Sequence, residues 1–202
     1  MPDAQHKPRA FCLGKLPQYA DFVSRGLEAA EADLWFEILT EGLTIAREQS
    51  GELFESAHDT APPWRFISGP GELGDDWRAG AIAPSVDRAG RRFFFIAAID
   101  GLDWRQAVAH GAFLTRNLEE AVYRGVSESL NAEAALAITD EALCCLDGDV
   151  EAALAVLANP SANGVWWTRG AEQYAARVVT SSELTSDLAA GFIVPAVFAA
   201  AQ

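Results

Sequence analysis

The sequence has little cysteine and histidine, and it lacks the spacings that usually hold metal ions. Its cysteines are Cys12, Cys144 and Cys145, an odd number with two sequence neighbours, which excludes a disulfide framework. His6, His58 and His110 lie far apart, with no Cys-x-x-Cys or His-x-x-x-His pattern beside them. We therefore expect no disulfide scaffold, no metal and no cofactor.

Basic residues are also scarce. The chain has 15 Lys and Arg against 29 Asp and Glu, a formal charge of -14 at pH 7. This charge opposes the counterion release that drives nucleic-acid binding, and it disfavours anionic membrane surfaces. No apolar run reaches the roughly 20 residues that a membrane span needs, and the first residues lack the layout of a secretory signal. These absences predict a cytoplasmic protein that binds no nucleic acid and does not insert into a membrane.

Half of the 202 residues are hydrophobic, enough to build a substantial core. We expect a single domain over residues 1–202, with a helical region at about 103–158 packed on a sheet. Residues 28–60 carry nine acids and one Arg, net -8, and residues 109–160 carry nine acids and two Arg, net -7. In the first segment apolar residues recur every three to four positions, as in Trp35, Leu39 and Ala46. Both segments are predicted to be helices with solvated acidic faces.

Between and around these segments the sequence is typical of strands. Phe93 to Ile99 is apolar on both alternating faces, which predicts a central strand covered on each side. Asp103 and Asn131 are predicted helix N-caps, and a last helix is predicted to begin at Ser181 or Ser182. Further predicted elements are strands at 10–13, 64–67, 77–84, 92–99 and 164–167 and a helix at 149–157. The expected fold class is α+β, a central, mainly antiparallel sheet with helices on both faces, in a three-layer α/β/α sandwich.

Two patterns superficially suggest catalysis. The glycine-rich segment from Ser68 to Gly74 lacks a following Lys-Ser/Thr and holds acidic residues, so we predict a turn and not a phosphate cradle. Ser85, Asp87 and His110 are the residue types of a hydrolase triad, but the Gly-x-Ser-x-Gly context is absent. We expect no enzyme, and a hydrolase using Ser85 is the alternative.

The segment from Pro84 to Arg92 places Asp87 among Arg88, Arg91 and Arg92, a small positive island in an acidic protein. Such a turn is typical either of a structural Asp-Arg pairing or of a grip on an acidic or phosphorylated partner. Core packing is the first expectation for each of the six tryptophans, and we expect Trp35, Trp77, Trp104 and Trp166 in buried stripes. Trp64 and Trp167 are the candidates for a rim position.

Four blocks in the first half carry a family resemblance. They are Gly14-Lys15-Leu16-Pro17 with Asp21-Phe22-Val23 and Arg25-Gly26-Leu27; the Trp35 to Leu43 helix; Pro63-Trp64-Arg65-Phe66 with Gly69-Pro70-Gly71; and Gly80 to Arg91. In these blocks and their order the chain resembles the type VI secretion-associated TagF family. Beyond Asp103 the resemblance rests on Trp166-Trp167 and the Leu184/Leu188 helix.

The resemblance implies a cytoplasmic, non-enzymatic, post-translational repressor of the type VI secretion system. Its implied partner is the forkhead-associated-domain scaffold protein, and its implied action opposes kinase-dependent activation. Some relatives carry a fused phosphatase domain, for which this chain has neither the length nor the metal-binding acids. The candidate partner-binding or motif-structural residues are Lys15, Pro17, Asp21, Trp64, Arg65, Ser85, Asp87, Arg88 and Arg91. Their sequence leaves open which surface meets the partner, and in which oligomeric state.

Overall fold

An antiparallel sheet forms the centre of the protein. The computed structural model describes residues 7–71, 73–107, 112–142, 164–181 and 184–195. Within them the strands are β1 (Arg9–Gly14), β2 (Val23–Arg25), β3 (Trp64–Ser68), β4 (Trp77–Val86), β5 (Arg92–Leu102), β6 (Gly164–Thr168) and β7 (Arg177–Ser181). They form one seven-stranded sheet in the order β2-β1-β5-β4-β3-β6-β7, and every neighbouring pair is antiparallel.

Helices cover both faces of this sheet. They are α1 (Ala29–Ser50), α2 (Phe54–Thr60), α3 (Trp104–Gln106), α4 (Ala112–Ser127), α5 (Ala132–Glu141) and α6 (Ser186–Gly191), with a 3-10 turn at Gly51–Leu53 between α1 and α2. The helices α1 and α6 pack on one face, and α4 and α5 pack on the other. The predicted α+β fold with helices on both faces is confirmed. None of the described helices combines the length and apolarity that crossing a membrane requires.

The central strand β5 explains why two helical layers form. Phe94, Ile96 and Ala98 lie in the core beneath α1 and α6, while the alternate residues Phe95 and Ala97 lie in the core beneath α4 and α5. All are fully buried. Because burying one large apolar side chain contributes about 1.5–3 kcal/mol, a strand apolar on both faces stabilises the fold most when each face is covered.

The helix signals are confirmed where the chain is described. Asp103 Oδ1 accepts a 2.8 Å hydrogen bond from the Gln106 N–H, and Asn131 Oδ1 accepts one of 2.8 Å from the Ala134 N–H. The first acidic segment forms two helices, because α1 ends at Gly51, whose φ of +54° is left-handed. Hydrogen bonds join Gly71 and Gly74, in agreement with the predicted turn, and β4 follows.

Two predictions about elements are incomplete or wrong. Ser181 ends strand β7, and the last described helix begins at Ser186, where Thr185 Oγ1 accepts a 3.1 Å hydrogen bond from the Leu188 N–H. Strands β2 and β7 were not predicted, because β2 is short and β7 is mixed in polarity. The predicted helix at 149–157 and parts of the 103–158 helical region lie outside the described residues.

Trp64 and Trp167 follow the first expectation of core packing, and Trp104 does not. Trp64 and Trp167 are buried, with 0% and 4% of their surface exposed, so neither stands at a rim. The reason is that both lie inside the sheet, where Trp64 packs against Tyr174 and Phe192. Trp104, expected in a buried stripe, is 50% exposed because it lies in the first turn after the Asp103 cap.

Candidate functional site

Two of the four sequence blocks meet at one end of the sheet. The loop after β1 (residues 15–22) contacts the turn between β4 and β5 (residues 87–91), and together they form what we call the loop–turn site. The Arg88 N–H donates a 2.7 Å hydrogen bond to the Tyr19 carbonyl, and the Lys15 N–H donates one of 2.9 Å to the Phe94 carbonyl. Gly90, at φ +77°, lets the turn reverse.

Asp87 is the centre of the loop–turn site. Its Oδ1 accepts hydrogen bonds from the N–H groups of Ala89 (2.9 Å) and Arg91 (3.0 Å). Its Oδ2 lies 2.9 Å from Lys15 Nζ and 2.6 Å from Arg91 Nε. Burial would raise the pKa of this carboxyl, but the donors from Lys15, Arg91 and Ala89 outweigh burial and hold the pKa well below its ordinary value. The Asp87 carboxylate is therefore charged, and it is the hydrogen-bond acceptor for Lys15, Ala89 and Arg91.

Lys15 is the buried cation of this arrangement. Its side chain is 8% exposed, and Nζ lies 4.9 Å from the centre of the Phe22 ring as well as beside Asp87. A buried ammonium is tolerated when a carboxylate pairs with it. Lys15 therefore joins the first loop to the turn.

The position of the Ser85 hydroxyl indicates a structural role. Its side chain is buried, and Oγ donates a 2.7 Å hydrogen bond to the Lys15 carbonyl. His58, the one histidine within the described ranges, has its Nε2 2.8 Å from the Phe93 carbonyl and its Nδ1 3.2 Å from Asp59 Oδ1. Burial lowers the pKa of His58. His110, the histidine of the hypothetical triad, lies outside the described residues.

The arginines of the turn differ in whether their side chains are paired with other groups of the protein. Arg91 contacts Asp87 and also donates from Nη2 to the Ala20 carbonyl, although its side chain is 61% exposed. Arg92 pairs with Glu55 and Asp59, and this guanidinium lowers the pKa of Asp59. The Arg88 side chain is exposed and forms no hydrogen bond or ion pair with the described part of the chain. The positive island is thus presented to solvent mainly by Arg88 and Arg91.

Pro17 and Asp21 shape the loop. Pro17 lies in a turn in which the Tyr19 N–H donates a 3.0 Å hydrogen bond to the Leu16 carbonyl. Asp21 is exposed, and its Oδ1 accepts a 2.8 Å hydrogen bond from the Phe22 N–H. Both residues therefore set the backbone path, and Asp21 also leaves part of its carboxylate facing solvent.

Trp64 and Arg65 belong to a different part of the molecule. They lie on β3, and Arg65, 2% exposed, grips Glu119 of α4 through Nε (2.7 Å) and Nη2 (3.2 Å). This paired geometry fixes α4 to the sheet. Trp64 and Arg65 therefore lie away from the loop–turn site and on opposite faces of the sheet, Trp64 in the core beneath α1 and α6 and Arg65 beneath α4.

Sequence reasoning missed an aromatic group beside the loop–turn site. Phe22 is 44% exposed, and its ring centre lies 4.7 Å from that of Phe36 and 4.8 Å from that of Phe93. The signal was an apolar residue inside a polar loop, directly after Asp21. An exposed aromatic residue close to arginines is typical of protein interfaces.

The geometry offers no metal centre in the described ranges, where no group of three or more His, Cys, Asp or Glu side chains is placed to hold an ion. It places a buried ionic network beneath an exposed aromatic ring and exposed guanidinium groups. With the seven-stranded sheet, these features define a layered α+β protein.

Comparisons with known proteins identify the family. The model of the TagF N-terminal domain, type VI secretion system-associated, matches residues 11–143, and the chain belongs to this family. Its fold is similar to the crystal structure of PA0076 from Pseudomonas aeruginosa PAO1, with a TM-score of 0.75 and 24% sequence identity over 92% of this chain and 94% of that one. No curated protein matched the chain by sequence.

Proposed function

We propose that this protein is a cytoplasmic, non-enzymatic repressor that holds the type VI secretion system inactive after translation. It acts by binding the forkhead-associated-domain scaffold protein and thereby opposes kinase-dependent activation. Membership of the TagF family supports a role in this system. The net charge of -14 supports a protein partner in preference to nucleic acid or an anionic membrane.

The observation that carries the binding proposal is the organisation of the loop–turn site. Its buried part, Lys15, Ser85 and Asp87, is fully occupied by internal hydrogen bonds, while Phe22 and Arg88 project to solvent. A surface held rigid by a buried network loses little conformational entropy on binding. We assign the exposed part of the site to partner contact and the buried part to support.

Replacing Arg88 by alanine separates contact from support. The Arg88 side chain is exposed and forms no hydrogen bond or ion pair within the described ranges, so we expect the midpoint of urea unfolding to stay unchanged while capture of the purified scaffold protein falls at least fivefold. Arg25→Ala is the matched control, because Arg25 is also exposed but pairs with Glu133 at the edge strand β2. Equal capture by wild type and Arg88→Ala would exclude Arg88 from the interface.

Ser85→Ala tests the alternative, a hydrolase that uses Ser85. Ser85 and His58 line the same apolar groove of about 500 Å³. This shared groove is the observation that favours the hydrolase alternative. We expect the substitution to lower the free energy of unfolding by about 1 kcal/mol, through loss of the hydrogen bond to Lys15, and to leave scaffold capture intact. Hydrolysis of p-nitrophenyl acetate that disappears in Ser85→Ala, above that of a heat-unfolded control, would favour the enzyme.

A further inference from the structure

Two grooves lie side by side along α4. The first is the apolar groove of about 500 Å³, lined by residues that include Ala83, Val122 and Val126. The second has about 530 Å³ and is lined by polar groups of β3, α4 and the segment after β6. Pro63 and Tyr123 line both grooves, so the two are halves of one composite groove. Tyr123, 65% exposed, stands between the halves.

The polar half has unused hydrogen-bond donors. Asn117 Nδ2 is shielded from solvent and has no acceptor in the described structure. The neighbouring Arg116 is exposed and forms no hydrogen bond or ion pair with any described residue. A shielded amide without an acceptor is costly, because its hydration is lost without replacement. An incoming oxygen would satisfy it.

The net charge of the polar half indicates whether a carboxylate or a phosphate would supply this oxygen. Arg65, Arg116 and Arg169 face Glu119 and Glu120 there, so this half carries a net charge of +1 within a chain of -14. Arg65 is paired with Glu119, which leaves Arg116 as the arginine most available to a ligand. A singly charged carboxylate complements this balance, whereas a doubly charged phosphate would meet both glutamates.

The apolar half is complementary to a different chemical group of the ligand. Its walls are mainly aliphatic and proline side chains of β4, α4 and the segment before β3, together with Ser85, Tyr123 and Ser127, and Asp59 and His58 also line it. Since Asp59 is paired with Arg92, and His58 with the Phe93 carbonyl, these polar groups are already satisfied. An aliphatic side chain fits this half.

We propose that the composite groove binds an extended segment of the partner protein, with an aliphatic side chain in the apolar half and a carboxylate against Arg116 and Asn117. In an extended chain, residues two apart project to the same side at about 6–7 Å, a spacing that can straddle a single side chain such as Tyr123. This inference rests on the proposed function in one respect, that the partner supplying the segment is the scaffold protein.

The first test measures groove binding without the scaffold. The probe is an acetylated eight-residue peptide of Gly and Ser that carries one Leu and, two residues later, one Asp; the matched peptide carries Lys in place of Asp. We expect the Leu/Asp peptide to shift the side-chain amide signals of Asn117 in nitrogen-15 NMR spectra, saturably at millimolar concentration, and the Leu/Lys peptide not to. Absence of this shift, or an equal shift with both peptides, overturns the proposal.

The second test uses the scaffold protein and two charge reversals on one helix. Arg116→Glu should weaken scaffold capture at least tenfold, while Arg124→Glu should leave it within twofold, because Arg124 pairs with Glu128 and does not line the groove. If wild type captures the scaffold and both variants do so equally, the scaffold does not use the groove and the proposal fails, while the proposed function stands. If wild type does not capture the scaffold at all, the proposed function fails, and the peptide result still decides whether the groove binds such a segment.

Discussion

Replacing Asp87 by alanine is expected to lower the free energy of unfolding by about 3–5 kcal/mol, the range for removing one partner of a buried ion pair. Removal of the carboxylate leaves the Lys15 ammonium, whose side chain is 8% exposed, without its ion-pair partner. It also removes the acceptor of the Ala89 and Arg91 N–H groups. Urea unfolding followed by tryptophan fluorescence measures the change. Scaffold capture should fall in proportion to the unfolded fraction.

Arg91→Ala is the matched control for this prediction. Arg91 contacts the same carboxylate, but its side chain is 61% exposed and Lys15 remains paired without it. We expect a loss within about 1 kcal/mol, typical of exposed ion pairs. If the Asp87 and Arg91 substitutions destabilise equally, the buried charge of Lys15 does not depend on Asp87.

The same carboxylate predicts how stability depends on pH. The pKa of Asp87 is lower in the folded state than in the unfolded state, so the folded protein holds the charged form more strongly. Its contribution is complete above the unfolded pKa, near 3.9, and is lost as pH falls below that value toward the folded pKa. Unfolding measured between pH 6 and pH 3 should therefore show a steeper loss in the wild type than in Asp87→Asn.

The layered fold was predictable because its signals are local. The apolar residues Phe93 to Ile99 required cover on both faces, and the caps at Asp103 and Asn131 mark helix starts. The strand β7 was not predictable in this way. Its residues alternate between half-buried and exposed at the edge of the described sheet, and no single face identifies them.

The tryptophans show why burial is harder to read than periodicity. Trp64 follows Pro62-Pro63, which is typical of a rim, yet Tyr174 and Phe192, more than 100 positions later, cover it. For Trp104 the difference is in the opposite direction: its helical spacing indicated burial, but in the first turn of α3 it is half exposed. In both cases tertiary placement decides the outcome.

The candidate site was predictable in its residues but not in its division of labour. Lys15 and Asp87 are 72 positions apart, and no local pattern indicates that they pair. The structure shows that Ser85 binds the carbonyl of Lys15 while Asp87 binds its ammonium, so two sequence blocks are joined through one residue. The sequence suggested Arg88 as the partner of a nearby carboxylate, whereas in the structure Arg91 pairs with Asp87. Partner contact by Arg88 stays a prediction.

Gly14→Ala is expected to destabilise the protein by about 3 kcal/mol or more, as a sum of backbone strain and overpacking. Gly14 has φ +123°, and an added Cβ would lie 2.1 Å from the Phe94 carbonyl oxygen. Backbone on β5 cannot move aside as a flexible side chain would. The end of β1 must separate from β5, which breaks the 2.9 Å hydrogen bond from the Lys15 N–H to Phe94 and displaces Lys15 from Asp87.

Gly90→Ala separates strain from collision in this prediction. Gly90 also has a positive φ, +77°, but nothing lies within 4 Å of the position its Cβ would take. Its substitution should cost only the left-handed conformation, about 1–2 kcal/mol. Urea unfolding of both variants measures the difference, and an equal loss would mean that β1 is not held against β5 at Gly14. Because the collision acts on the support of the loop–turn site, Gly14→Ala should also weaken scaffold capture beyond the effect of the unfolded fraction, whereas Gly90→Ala should not.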